Sequence, residues 1–125
     1  MKNLIYVFLG GGLGSLFRFI IGNLIINKFT HFPFSVLLVN LLGSFFIGIY
    51  FGFKFVSGLE EEIKNFFVIG FLGGLTTFSS FSMDNLKLIL DEKYLLFTLN
   101  LFSNLLGTMG LVFIGFKIGK LCNFE

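Results

Sequence analysis

The charged residues of this chain are few and bunched, and the bunching decides what the chain can fold into. Only 13% of the 125 residues are charged, and between the short clusters that hold them lie four long stretches with almost no formal charge. Each stretch is long enough, at about 1.5 Å rise per residue, to cross a hydrocarbon core of about 30 Å as a helix. A composition that is 55% hydrophobic, with a mean hydropathy of +0.94, is too apolar for a soluble domain of this size. The expectation is an all-α integral membrane protein, with residues 1–125 forming one four-helix transmembrane domain. So small a bundle has little wall for a pore of its own, so self-association is expected. The net charge of +2 comes from singly scattered basic residues, which argues against nucleic acid as a partner. Cys122 is alone, so there is no disulfide framework.

The first span is expected over residues 4–26. Its apolar part outlasts the core of a signal peptide, Arg18 sits well inside it and no small-x-small cleavage pattern follows, so it reads as a retained helix. The patch Gly10-Gly11-Gly12-Leu13-Gly14-Ser15 lacks both the Gly-Lys-Ser/Thr and the preceding strand of a phosphate loop. Gly10 and Gly14, four apart, instead let membrane helices approach closely. Arg18 is read as an anchor of the helix end, with a direct part in anion access as the alternative. Residues 27–33 connect the first two spans and carry Lys28, His31 and the only proline, Pro33. With no second His, Cys or acidic residue at ligand spacing, His31 reads as an interfacial side chain and not a metal ligand.

The second span, 34–53, has no formal charge but places Asn40, Ser44 and Gly48 at i, i+4 and i+8. Asn40 is either interhelical glue worth about 1 kcal/mol or a donor facing a water- or anion-filled path. Residues 54–64, with Glu60, Glu61 and Glu62 in a row, read as a solvated acidic turn and not a calcium loop.

The third span, 63–90, is longer than a bilayer demands and contains Gly73-Gly74-Leu75-Thr76-Thr77-Phe78-Ser79-Ser80-Phe81-Ser82. Two adjacent glycines, then hydroxyls interleaved with two phenylalanines, predict a helix break at membrane depth around residues 73–77. Non-helical backbone is tolerated there only where protein buries it or it lines a cavity, and such a break usually marks an ion site. Beyond it, Phe78 and Phe81 are expected to share a helix face with Ser82 nearby, and Asp84 to pair with Lys87. The fourth span, 94–116, carries Asn100, Asn104 and Thr108 at i, i+4 and i+8, a polar stripe richer than packing needs, while Gly107 and Gly110 predict close helix contact.

No span holds an Asp or Glu near its centre, which disfavours the carboxylate relay of small proton-coupled exporters of organic cations. No Ser/His/Asp set, Cys/His pair or metal cluster is present, so enzymatic activity has no candidate residues. What remains is a set of neutral donors, Asn40, Ser79, Ser80, Asn100, Asn104 and Thr108, beside aromatic rings whose edges carry partial positive charge. These suit a small anion passing through several weak sites. Carbonyls freed by the break suit a hard monovalent cation, but one chain offers too few, and an inverted second copy on a two-fold axis would complete the set. The basic residues Lys2, Lys54, Lys64, Lys117 and Lys120 on the side of the termini nearly balance Lys28, Lys87, Lys93 and Arg18 opposite. So weak a bias fits insertion both ways up and an antiparallel dimer.

Taken together, these motifs resemble the Fluc/CrcB fluoride channels over essentially the whole chain: the Gly-rich first span with Arg18, the Asn40-Leu41-Leu42-Gly43 segment, the specific 73–82 motif, and 100–107 in the last span. The resemblance implies a dual-topology homodimer in the plasma or inner membrane. It would have two fluoride pores and a central sodium ion that is structural and not transported. By position it makes the carbonyls of Gly73 and Thr76 the sodium ligands, Phe78 and Phe81 the pore rings, and Asn40 the second-span donor. Ser79 and Ser80 follow as hydroxyl donors, with Ser80 where the family often has Thr, and Asn100, Asn104 and Thr108 as the polar track. The implied role is passive loss of fluoride taken up as neutral HF. The rival expectations are a dual-topology organic-cation exporter and a non-transporting membrane scaffold.

Overall fold

The computed structural model describes residues 1–26, 32–57 and 61–122. The expectations for Lys28, His31 and Glu60 lie outside the described residues. The order is α1 (Lys2–Ile26), α2 (Phe34–Ser57), a third span in four pieces, and α6 (Tyr94–Leu121). The pieces are α3 (Glu61–Ile63), a π-helix (Lys64–Leu72), α4 (Gly73–Leu75) and α5 (Phe78–Leu90). Among the described residues every regular element is helical. Lys2–Ile25, Phe34–Phe53, Glu61–Leu90 and Tyr94–Leu121 are long and apolar enough to cross a membrane. Large apolar side chains such as Phe8, Leu95 and Phe113 stand exposed along the outer faces, an arrangement lipid tolerates and water does not.

The helices pack mainly as two pairs, α1 against the π-helix and α4, and α2 along α6. Lipid gives helices no hydrophobic reason to associate, so close van der Waals approach has to hold them, and glycine makes that approach possible. Gly10 and Gly14 lie against the Phe66 and Phe71 carbonyls, and a Cβ at Gly74 would sit 2.5 Å from the Gly11 carbonyl oxygen. The second seam is reciprocal, with Gly48 facing the Val112 carbonyl and Gly115 facing that of Phe45. Gly43 opens a place on α2 for the Thr76 methyl group, which seats the third span against the second pair.

Two expectations are corrected here. The double glycine does not open the break: Gly73 is helical at φ −64°, ψ −36°, and helix continues to Leu75. The break is confined to Thr76 (φ −78°, ψ 154°) and Thr77 (φ −154°, ψ 118°), because Gly74 serves the seam with α1 while Thr77 caps the next helix. Nor is Gly110 at a close contact, since nothing lies within 4 Å of its Cβ position, whereas Gly107 meets Leu41 Cδ2 at 2.8 Å. The surplus length of the third span goes partly into the nine-residue π-helix, whose wider turns use more residues per unit of rise.

The glycine seams generate a contrast. Gly14→Ala drives its methyl into the Phe71 carbonyl and is expected to cost about 2–3 kcal/mol. Gly110→Ala points into open space and is expected to leave stability unchanged or slightly raised, by up to about 1 kcal/mol. Thermal unfolding of the two purified variants in one detergent checks the pair.

Candidate functional site

Thr77 organises the site. As N-cap of α5, its Oγ1 accepts from the Ser80 N–H at 3.1 Å and donates to Ser80 Oγ at 3.1 Å, with Ser79 Oγ 3.2 Å away. Its extended backbone cannot join a helical ladder, and at membrane depth no water is present to pair it. One carboxamide from α2 takes both groups: the Thr77 N–H donates to Asn40 Oδ1 at 2.8 Å, and Asn40 Nδ2 donates to the Thr77 carbonyl at 3.2 Å.

The neighbouring residue is held from two other directions. Arg18 Nη1 donates to the Thr76 carbonyl at 3.2 Å, and Thr76 Oγ1 donates to the Leu72 carbonyl at 2.9 Å. Arg18 is therefore neither a free guanidinium nor only a helix-end anchor; it supports the break itself. Because the Thr77 N–H is committed to Asn40, the Gly73 carbonyl lacks the donor a continuous helix would supply four residues on. The Thr76 carbonyl, with one lone pair toward Arg18, keeps a second.

Asn40 also starts a chain of carboxamides. Its Nδ2 donates to Asn104 Oδ1 at 3.0 Å. Asn104 Nδ2 donates to Asn100 Oδ1 at 3.0 Å and to the Asn100 carbonyl at 3.1 Å, and Asn100 Nδ2 donates to Asn85 Oδ1 at 2.8 Å. Asn85, Asn100 and Asn104 are all buried, so this network links α5, α6, α2 and the break through the interior. Thr108 shares the stripe but not the chain, since its hydroxyl donates to the Asn104 carbonyl of its own helix at 2.6 Å.

The two rings fall on one face of α5, with centroids 5.5 Å apart and planes inclined at 49°. Phe81 is buried at 8% exposure and Phe78 is open at 79%, so the pair reaches from the interior to the surface of the chain. Beside them a cavity of about 790 Å³ opens between α5 and the start of α2, lined by Ser79, Ser80, Asp84 and Lys87 among others. Asp84 and Lys87 meet at 4.0 Å with the lysine largely exposed, a pair of little energetic weight. Among the described residues no group of three His, Cys, Asp or Glu gathers to hold a metal ion. Around the break the site offers neutral donors, main-chain oxygens and the Arg18 guanidinium.

Thr77 and Asn85 were not anticipated as site residues. A hydroxyl N-cap signal was present in Thr77-Phe78-Ser79-Ser80, and Asn85 stands four residues after Phe81, one turn along the ring face.

The clamp predicts that Asn40→Leu, which strands two main-chain groups of Thr77 at membrane depth, destabilises the fold by about 2–4 kcal/mol. Thr108→Val removes only a bond to a carbonyl of its own helix and is expected to cost less than about 1 kcal/mol. Denaturant or thermal unfolding in detergent separates the two.

Over residues 5–116 the chain matches the family described as CrcB-like protein, Camphor Resistance (CrcB). It is 40% identical over 118 residues to the fluoride-specific ion channel FluC of Azobacteroides pseudotrichonymphae genomovar. CFP2, a match covering 93% of this chain and 94% of that protein. The protein of the same name from Shewanella baltica (strain OS185) is 42% identical over 116 residues, covering 92% and 94%. That from Shewanella halifaxensis (strain HAW-EB4) is 40% identical over 116 residues, with the same coverage. These relatives are ion channels and not enzymes, and the four apolar helices make the chain a multi-pass membrane protein. The break, the carboxamide chain and the ring pair all fall inside the matched residues, and the chain belongs to the CrcB family.

Proposed function

We propose that the chain is a fluoride-selective channel that lets the ion leave the cell passively, assembled as an antiparallel dimer in the plasma or inner membrane. The observation that carries this reading is the meeting of neutral donors and a ring pair at a two-residue helix break, in a chain whose relatives are named as fluoride-specific channels.

A dehydrated fluoride ion must recover hydrogen bonds along its way. Ser80 Oγ accepts from Thr77, which leaves its own proton available for an anion, and Ser79 stands exposed beside it at the cavity. Phe78 and Phe81 then offer ring edges. Asn40 has both amide hydrogens engaged, one of them on Asn104 Oδ1, so it serves an anion by exchanging that oxygen for the ion. Asn100, Asn104 and Thr108 support the path from α6. Fluoride exceeds chloride as an acceptor and is smaller, so a narrow path with closely spaced donors favours it.

The donor set fits sodium. Gly73 contributes an oxygen without its helical donor, on an exposed part of the chain, and Thr76 contributes its remaining lone pair. Two neutral oxygens are too few for one ion, and an inverted copy across a two-fold axis supplies two more. Bound there, sodium would tie the two copies together. An organic-cation exporter would need a central carboxylate that no span of this chain holds, and a scaffold has no use for a ring pair running from interior to surface.

Liposomes holding the purified protein are expected to release fluoride and to retain chloride. Phe78→Ile and Phe81→Ile should each lower fluoride efflux at least about tenfold without loss of the dimer. Chloride leaving as fast as fluoride, or full efflux from both variants, would refute the channel. Replacing sodium throughout by N-methylglucamine is expected to weaken the dimer and slow efflux, as read by cross-linking and an ion-selective electrode. Indifference of both to sodium removes the cation from the proposal.

A further inference from the structure

The carboxamide chain has a direction, and its free end lies beside the rings. Oxygen and nitrogen of an asparagine side chain are told apart by their partners. The main-chain N–H of Thr77 can only donate, so Asn40 presents its oxygen there and sends its amino group on to Asn104 Oδ1. The Asn100 main-chain carbonyl can only accept, which pins the Asn104 amino group toward Asn100. Asn100 therefore shows Oδ1 to Asn104 and its amino group to Asn85, and Asn85 must answer with Oδ1. The one group left over at that end is the Asn85 amino group. Among the described residues nothing accepts from it, although Asn85 is only 7% exposed.

Three features make this amino group more than a loose end. All three inter-amide bonds run the same way, so each polarises the next and the last donor gains from the whole series. Asn85 is seven residues after Phe78 and four after Phe81, which places it one turn beyond the rings on the same face of α5. The amino group is also reachable: among the described residues the one fully buried side-chain polar atom without a partner is the Tyr50 hydroxyl, so Asn85 Nδ2 keeps surface at which a ligand can meet it, and no carboxylate takes part in the chain to occupy it.

We propose that Asn85 is a further anion-binding residue of the permeation path: its amino group, made a stronger donor by the carboxamides behind it, receives fluoride as the ion passes the Phe81 ring. This rests on the fluoride-channel reading above. It separates two roles within one side chain, with Oδ1 holding Asn100 in place and Nδ2 meeting the ion.

Asn85→Asp keeps an oxygen for Asn100 and replaces the donor by an acceptor, whereas Asn85→Leu removes both. Efflux of fluoride from liposomes is expected to fall at least about tenfold in each, with the unsubstituted protein run alongside. Because a carboxylate also repels anions at a distance, a second readout is taken on the unsubstituted protein. With asparagine labelled in its side-chain nitrogen, the Asn85 amino resonance is expected to move when gluconate is exchanged for fluoride, and to stay put for chloride. Efflux from Asn85→Asp within about twofold of the unsubstituted protein overturns the proposal, because then only the acceptor matters. An Asn85 resonance indifferent to fluoride overturns it as well, and decides the matter alone if neither variant folds. Should the unsubstituted protein fail to conduct fluoride, the channel reading itself is what has failed.

Discussion

The structure depends on one reciprocal pair of hydrogen bonds, between the Asn40 carboxamide and the main chain of Thr77. An extended residue in the middle of a membrane helix exposes an N–H and a C=O that lipid cannot satisfy, each at a cost of several kcal/mol. A carboxamide is the one neutral side chain that supplies an acceptor and a donor side by side, much as a neighbouring strand would. Asn40 thereby replaces a missing rung of backbone, and Arg18 and the Thr77 hydroxyl satisfy groups on either side of it. Without these three supports the cheaper arrangement is continuous helix from Gly73 into Phe78. The break is thus made by side chains from α1 and α2 and by the cap residue.

That dependence explains why the rest of the bundle is built around glycine. Asn40 and Arg18 reach Thr77 and Thr76 only if α1 and α2 lie close to the third span. Gly10, Gly14, Gly43 and Gly74 mark positions where a side chain would push those helices apart. The second seam, between α2 and α6, does the same for the polar chain, because Asn104 has to come within 3.0 Å of Asn40. Packing and polar satisfaction are therefore one requirement, met at two depths.

Four spans, their approximate limits, the shared face of Phe78 and Phe81 and the stripe of Asn100 and Asn104 were legible in the sequence, because each rests on length, charge or a helical period. The break was legible as an event and misplaced by a few residues. Glycine signals both a bend and a close contact; Gly73 stays helical, and at Gly74 the contact with α1 won. The π-helix left no local signature in the residue pattern of Lys64–Leu72. Arg18 meeting Thr76 lies across 58 residues of chain, and Asn40 meeting Thr77 across 37, distances over which periodicity carries no information. Asn85 was overlooked because a lone asparagine near the end of a span has no pattern until Asn100 is seen opposite it.

The absence of formal charge from the carboxamide chain bears directly on conduction. Two opposite unit charges about 4 Å apart attract by about 4 kcal/mol at an effective dielectric constant of 20, enough to slow escape from such a site by about a thousandfold. A neutral donor contributes about 1 kcal/mol and lets the ion go. Arg18, a cationic side chain at the break, has an Nη1 hydrogen on the Thr76 carbonyl, so part of its hydrogen-bonding capacity holds backbone. Its field still favours an anion nearby, while short-range binding falls to hydroxyls, ring edges and amides. In a path of this kind selectivity comes from the spacing of weak donors, and spacing is what the Asn40–Thr77 clamp and the glycine seams hold fixed.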